Sequence, residues 1–285
     1  MNQTNSITIL ANAKINLTLD VLGKREDGYH DLKMVMAEIP LSDTLILEKQ
    51  PDISVSTNLH FLPNNEKNIA YRAAQLFFQE TGIKGGVSIK IHKRIPVSAG
   101  LAGGSTDAAA VLKGLNQLYH ANLTLVQMQE LGNQLGKDVP FCLLGGIALA
   151  EGTGERLTVL PNLPHCYLVL VKPQYLNVST KEVFGALKAS ELELHPDTKG
   201  TVDALRNGDL SGVCRRMYNV LEEVTVKKHP VIAEFKNIML EYGALGSVMS
   251  GSGPSVFGIF SEETSAKQAQ EKLLTMDKQV FLMEL

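Results

Sequence analysis

The fifteen residues PVSAGLAGGSTDAAA (96–110) set three glycines and three hydroxyls between a run that reads as a strand and a run that reads as a helix. A helix that opens straight after a glycine turn aims its unpaired first-turn amides, and the positive end of its dipole, at one small volume. Such a volume suits an anion, most often a phosphate. Gly100, Gly103 and Gly104 permit close approach there, since a side chain would obstruct it and would resist positive φ. Ser105 and Thr106 add hydroxyls able to bond a phosphate oxygen or a hydrated magnesium ion. The spelling excludes two familiar loops. A P-loop carries lysine before its last Ser or Thr, where this chain has Gly104, and the dinucleotide fingerprint runs G-x-G-x-x-G, where this chain has G-x-x-G-G. A plain glycine-rich connection into a helix capped by Ser105 fits the same letters.

Two other stretches carry matching chemistry. In AKINLTLD (13–20) the alternation sets Lys14, Asn16, Thr18 and Asp20 on one face and Ala13, Ile15, Leu17 and Leu19 on the other. The apolar face is core, and the polar face of such a strand ordinarily meets solvent. In LGKDVPF (135–141), Asp138 follows a helix end and precedes Val139-Pro140, a place where aspartate commonly caps a turn. Phosphoryl transfer to a hydroxyl needs a carboxylate to orient or accept the proton and cations to offset phosphoryl charge, roles that Asp138 and Lys14 can fill. A further glycine loop, MSGSGPSVFG (249–258), holds Gly251, Ser252 and Gly253 between apolar runs and reads either as a tight hairpin or as part of a site.

The elements that must position these residues follow from periodicity. The first third reads as strands (SITILANAKINLTLDVL, DLKMVMAEIPL, DTLILEK, ISVSTN) broken by turns such as GKREDGYH. Helical spacing begins after Asn68, a fitting N-cap, and stops at Gly82; VSIKIHKRIPV alternates as a strand, and Thr124 suits the cap of a later helix. GIALAEGTGERLTVL suits a hairpin, and LPNLPH (160–165) suits a linker, which divides the chain into 1–160 and 161–285. The second half then runs strand (CYLVLVKP), helices, the glycine loop between strands, a helix and a closing strand (QVFLMEL), so the fold class is α+β.

Composition narrows the function classes. The 285 residues are 44% hydrophobic and 20% charged with a net charge of -3, which suits a globular protein and lacks the basic excess of a nucleic-acid binder. Cys142, Cys166 and Cys214 are odd in number and widely spaced, giving no disulfide framework and no metal-ligand pattern. No apolar run approaches a membrane span, and MNQTNSITIL lacks the pattern of a signal segment. The expectation is a protein of the reducing cytoplasm with no nucleic-acid or membrane partner.

AKINLTLD, KREDGYHDL, PVSAGLAGGSTDAAA, GKDVPFC and SGSGPSVFG, in this order, resemble the GHMP kinase superfamily, the group of galactokinase, homoserine kinase, mevalonate kinase and phosphomevalonate kinase. The resemblance spans nearly the whole chain. It implies an amino-terminal half like ribosomal protein S5 domain 2, a ferredoxin-like carboxy-terminal half, an active site between them, and a monomer or weak dimer. It implies an ATP- and magnesium-dependent kinase acting on the 2-hydroxyl of a cytidine diphosphate sugar alcohol. Asp138 matches the base and Lys14 the cation that keeps it ionised and favours the alkoxide. Pro96, Val97, Ser98, Ala99, Gly100, Leu101, Ala102, Gly103, Gly104, Ser105 and Thr106 match the ATP phosphate loop, and Asn68 an adenine contact. Tyr29, His30 and Phe184 match cytosine contacts, and Asn16 and Thr180 neighbours of the diphosphate and polyol. Other readings are a GHMP kinase of another alcohol, or a nucleotide-binding relative without catalysis. Three residues depart from the pattern: Ala102 replaces a glycine, Thr106 a serine, and Lys137 a small residue. A methyl at 102 calls for negative φ there.

Overall fold

In a computed structural model that describes residues 5–277 and 279–285, the chain forms two compact units, and its two longest strands take part in both. The first unit holds the chain through Ala13, Leu41–Ile95 and Ala102–Gly145; the second holds Lys14–Pro40, Pro96–Leu101 and Gly146–Leu285. β1 (Ser6–Lys24) and β2 (His30–Gln50) are the long strands. The sequence suggests two strands where β2 is one. The interruption at Pro40 falls where β2 changes neighbour, between residues 32–37, paired with one strand, and residues 44–50, paired with another. A residue without an N–H costs no ladder bond at such a gap.

In the first unit, β3 (Ser54–Thr57) pairs in parallel with β4 (Gly86–His92), and β4 pairs antiparallel with the end of β2, from Thr44↔His92 to Gln50↔Gly86. Between them in sequence lies α1 (Ile69–Thr81), followed after β4 by α2 (Gly103–Leu118), α3 (Leu125–Leu135) and α4 (Val139–Leu144). The predicted signals hold: Asn68 Oδ1 accepts from Ala70 N, Gly82 ends α1 at φ 65°, and Thr124 with Gln127 forms a capping box. The core joins Leu45 and Leu47 of β2, Ile89 of β4, Phe77 of α1 and the alanine face of α2. A Cβ on Gly114 would stand 2.3 Å from Leu47 Cδ1, so glycine there lets α2 lie directly on the sheet.

In the second unit, β5 (Ile147–Gly152) pairs antiparallel with the start of β2, and β6 (Arg156–Leu160) completes the expected hairpin. A separate sheet begins with β7 (Tyr167–Val171). The connection from β7 carries α5 (Thr180–Ala186), α6 (Thr198–Arg206), α7 (Leu210–Cys214), β8 (Tyr218–Asn219), α8 (Glu222–Lys228) and α9 (Val231–Glu241). β9 (Gly246–Met249), β10 (Val256–Phe260), α10 (Glu263–Leu274) and β11 (Val280–Glu284) close the chain. The short β8 leaves this sheet and pairs in parallel with β1 at Thr18↔Tyr218. The four-stranded sheet runs β11-β7-β10-β9, with α9 and α10 packed on it. Counted along the chain, that order is 4-1-3-2 in a βαββαβ pattern, the ferredoxin-like arrangement. β10, an inner strand, is buried at every position, which accounts for the unbroken apolar run VFGIF. Among the described residues no helix is long and apolar enough to cross a membrane, and the three cysteines are unbridged.

Candidate active site

β1 departs from the half-buried pattern in its second half. Lys14 (5% exposed), Asn16 (0%), Thr18 (0%) and Asp20 (5%) are as buried as the apolar residues between them. The polar face therefore does not meet solvent as such a strand ordinarily would. Each side chain is satisfied inside the second unit, as burial of polar groups demands. Lys14 Nζ donates to Asn16 Oδ1 at 2.8 Å, and Asn16 Nδ2 donates to Met34 Sδ at 3.3 Å. Thr18 Oγ1 accepts from Val35 N at 3.1 Å. Asp20 Oδ1 accepts from Val21 N at 2.9 Å and pairs with His195 Nδ1 at 2.7 Å. The backbone at Lys14 donates to Leu101 O at 3.2 Å, which ties the buried lysine to the glycine loop.

That loop is built from backbone turns. Pro96, Val97, Ser98, Ala99, Gly100 and Leu101 belong to the second unit; Ala102, Gly103, Gly104, Ser105 and Thr106 belong to the first. Ser98 (φ 53°), Gly100 (φ 75°) and Ala102 (φ 57°) are left-handed. Ala102 thus lies opposite to the negative φ expected of it, because its left-handed turn is what directs the chain into α2. Ser105 is not the cap it was expected to be: the backbone is already helical from Gly103, so Ser105 lies in the first turn. Ala102, at the cap position of α2, makes no side-chain cap bond, in contrast to Asn68 before α1 and Thr124 before α3, and Gly104 is exposed at the helix start. Thr106 is buried, and its hydroxyl donates to Asn12 O at 2.6 Å.

Beneath this helix start sits a network that the motifs did not announce. Lys93 Nζ donates to Gly103 O at 3.2 Å and is ion-paired with Asp107 at 2.6 Å and with Asp43. Asp43 in turn accepts from the amides of Arg94 and Ile95. Burial pushes the Asp107 carboxyl up to about 7, against the pull of Lys93. The signal for Lys93 was its parity. It extends the inward row Val87, Ile89 and Ile91, where an exposed lysine would break step.

Asp138 occupies the position before α4 and makes no side-chain cap bond to that helix. A Cβ on Gly136 would stand 3.8 Å from Ser105 Oγ, which sets the GKD turn against the start of α2 within the first unit. Lys137 Nζ donates to Asn133 Oδ1 at 2.9 Å. Asn68 is engaged locally at both ends of its amide, accepting from Ala70 N and donating to Pro63 O at 2.9 Å.

The remaining predicted residues gather in the second unit. The His30 and Phe184 rings lie 5.2 Å apart at 36°, and burial, then Lys24, lowers the His30 pKa. Tyr29 is 53% exposed at the end of a turn fixed by Arg25 with Asp27 and Asp31. Thr180 and Phe184 share one face of α5, and Thr180 Oγ1 lies 2.9 Å from Ser252 Oγ. The second glycine loop also touches the first: Ser250 Oγ donates to Gly100 O at 3.0 Å, and a Cβ on Gly100 would lie 2.1 Å from Ser250 O. Sequence reasoning missed Asn219, Glu222 and Thr225, which hold this loop from behind; they lie in the mixed polar and apolar stretch YNVLEEVTVKK, whose letters do not single them out.

Residues 68–146 match the model of the GHMP kinases N terminal domain, and residues 201–278 match that of the GHMP kinases C terminal domain. A 4-diphosphocytidyl-2-C-methyl-D-erythritol kinase of Alkaliphilus metalliredigens is 50% identical over 280 residues, 98% of this chain and 96% of the relative. The kinase of the same name from Acetivibrio thermocellus is 48% identical over 280 residues, 98% and 99% of the two chains. The chain belongs to this family of GHMP kinases. A crystal structure of a 4-(cytidine 5'-diphospho)-2C-methyl-D-erythritol kinase matches with a TM-score of 0.82 and 36% identity over 98% of both chains. A homoserine kinase from Cytophaga hutchinsonii, 19% identical, shares the fold at a TM-score of 0.79 over 100% of this chain and 95% of its own. As a GHMP kinase, the chain is an ATP-dependent phosphotransferase with an alcohol acceptor.

Proposed function

We propose that the chain transfers a phosphoryl group from ATP to the 2-hydroxyl of 4-diphosphocytidyl-2-C-methyl-D-erythritol, the compound named in its relatives. The observation that carries this reading is the buried polar row on β1, whose Lys14 is bonded through its backbone to the glycine loop at Leu101. A solvated strand has no use for an interior lysine beside a glycine loop; phosphoryl transfer does, since charge develops there on oxygen. Asp138 orients and accepts the hydroxyl proton, and Lys14 stabilises the developing alkoxide. The amides at the start of α2 and the loop from Pro96 to Thr106 hold the phosphates, with Asn68 near the adenine. Tyr29 and Phe184 stack on the cytosine and His30 hydrogen-bonds it, while Asn16 and Thr180 line the diphosphate and polyol.

Magnesium fits here as an ion carried by the nucleotide. Among the described residues no three His, Cys, Asp or Glu side chains cluster to cage one, and magnesium commonly keeps several waters beside substrate phosphates. Its chemistry is to offset phosphate charge. We assign the protein to a reducing cytoplasm as a monomer or weak dimer, with the domain boundary near residue 160. The three unbridged cysteines support the compartment.

Asp138→Asn tests the central role. In this variant kcat should fall by about 10²- to 10⁴-fold, the range of general-base contributions, with ATP affinity changed less than about twofold. Equal losses of turnover and ATP affinity would make Asp138 a structural residue.

A further inference from the structure

The turn from Ser250 to Ser255, between β9 and β10, is held on one side and bonded outward at two points on the other, all within the second unit. On the holding side, Asn219 is 0% exposed, and its amide uses every strong group it has. Nδ2 donates to Met249 O at 2.8 Å and to Gly251 O at 2.7 Å, while Oδ1 accepts from Leu221 N at 3.0 Å. Glu222 accepts from Met249 N at 2.7 Å while ion-paired with Lys236, and Thr225 Oγ1 donates to Ser252 O at 3.3 Å. On the outward side, Ser250 Oγ bonds Gly100 O and Ser252 Oγ bonds the Thr180 hydroxyl. The two outward serines are two residues apart.

A plain hairpin needs none of this. Its two strands are already joined by the ladder from Val256↔Met249 to Ile259↔Gly246. A side-chain amide that donates to two carbonyls two residues apart fixes the curvature of the turn, and with it the spacing of Ser250 and Ser252. We propose that this turn is a clasp joining the nucleotide loop at Gly100 to the acceptor residue Thr180, and that Asn219 is its positioning residue. The inference rests on the assignment of those two ends made under the proposed function. It gives the two substrates a shared fixture and separates the contributions of the two serines.

The test measures dissociation constants of a non-hydrolysable ATP analogue and of 4-diphosphocytidyl-2-C-methyl-D-erythritol for the full chain and three variants. Ser250→Ala should weaken the analogue roughly 3- to 10-fold and leave the acceptor unchanged, as loss of one hydrogen bond predicts. Ser252→Ala should do the reverse. Asn219→Asp keeps the acceptor for Leu221 N, loses both donors, and should weaken both ligands. Thermal melts accompany each variant; if Asn219→Asp fails to fold, the opposite selectivity of the serine variants carries the decision. Wild-type affinities in both serine variants, or equal losses of both ligands in each, would overturn the clasp. A wild type that binds the analogue but never the cytidine acceptor would sink the substrate assignment, while a selective loss of analogue in Ser250→Ala would still support the nucleotide end.

Discussion

Two carboxylates face one ammonium where Lys93 meets Asp43 and Asp107, so a proton kept by Asp107 leaves the buried cluster neutral. Among the described residues Asp107 Oδ1 has no hydrogen-bond partner, which makes a full charge there costly. The stability consequence has a definite sign. Asp107 is raised from 3.8 to about 7 in the folded chain, so between those values the folded state binds more protons than the unfolded one. Stability from this group is full at about pH 4 and is lost as pH rises through about 7. Asp107→Asn removes the titration, so the wild-type Tm measured relative to the variant should fall across that window; a constant difference would show that Asp107 ionises normally. At this scale the sequence was half legible. Strand parity points Lys93 inward, but nothing in the letters names Asp43, fifty residues earlier, as its partner.

The caps at Asn68, Gly82 and Thr124 were readable because each is a local bargain between a side chain or glycine and the nearest backbone amides. The start of α2 was not, since it is set by a left-handed alanine that local preference disfavours. Tertiary packing overrides that preference, with Leu101 bonded to β1 on one side of Ala102 and Gly103 bonded to Lys93 on the other. Ala102→Gly should therefore stabilise the protein by up to about 1 kcal/mol, relief of left-handed strain exceeding the backbone entropy that glycine costs. Ala102→Val should destabilise it, because a branched side chain tolerates positive φ poorly. Denaturant midpoints decide the matter; a loss of stability with glycine would mean that the Ala102 methyl contributes more by packing than its backbone costs. The joining of two apparent strands into β2 has the same origin. Pro40 looks like a break, and only the change of neighbour from β5 to β4 explains why it is harmless.

Across the whole molecule, the α+β class and the strand-loop-helix order were legible because periodicity and glycine positions are properties of short windows. The membership of the GHMP kinases was legible because five motifs occur in one order, and it is supported by relatives that match over nearly the full chain. What the letters left open was whether the polar face of AKINLTLD met water, and its burial shows that it does not. The Asn219 clasp was illegible, since it depends on residues 100, 180, 219 and 250–252 meeting in space. The most direct test of the account is to incubate the protein with ATP, magnesium and 4-diphosphocytidyl-2-C-methyl-D-erythritol and follow the reaction by phosphorus NMR. ADP and a single new phosphomonoester at the acceptor's 2-position should form one for one. Bound ATP with no new ester at high enzyme concentration, or transfer to another alcohol with the cytidine compound untouched, would contradict it.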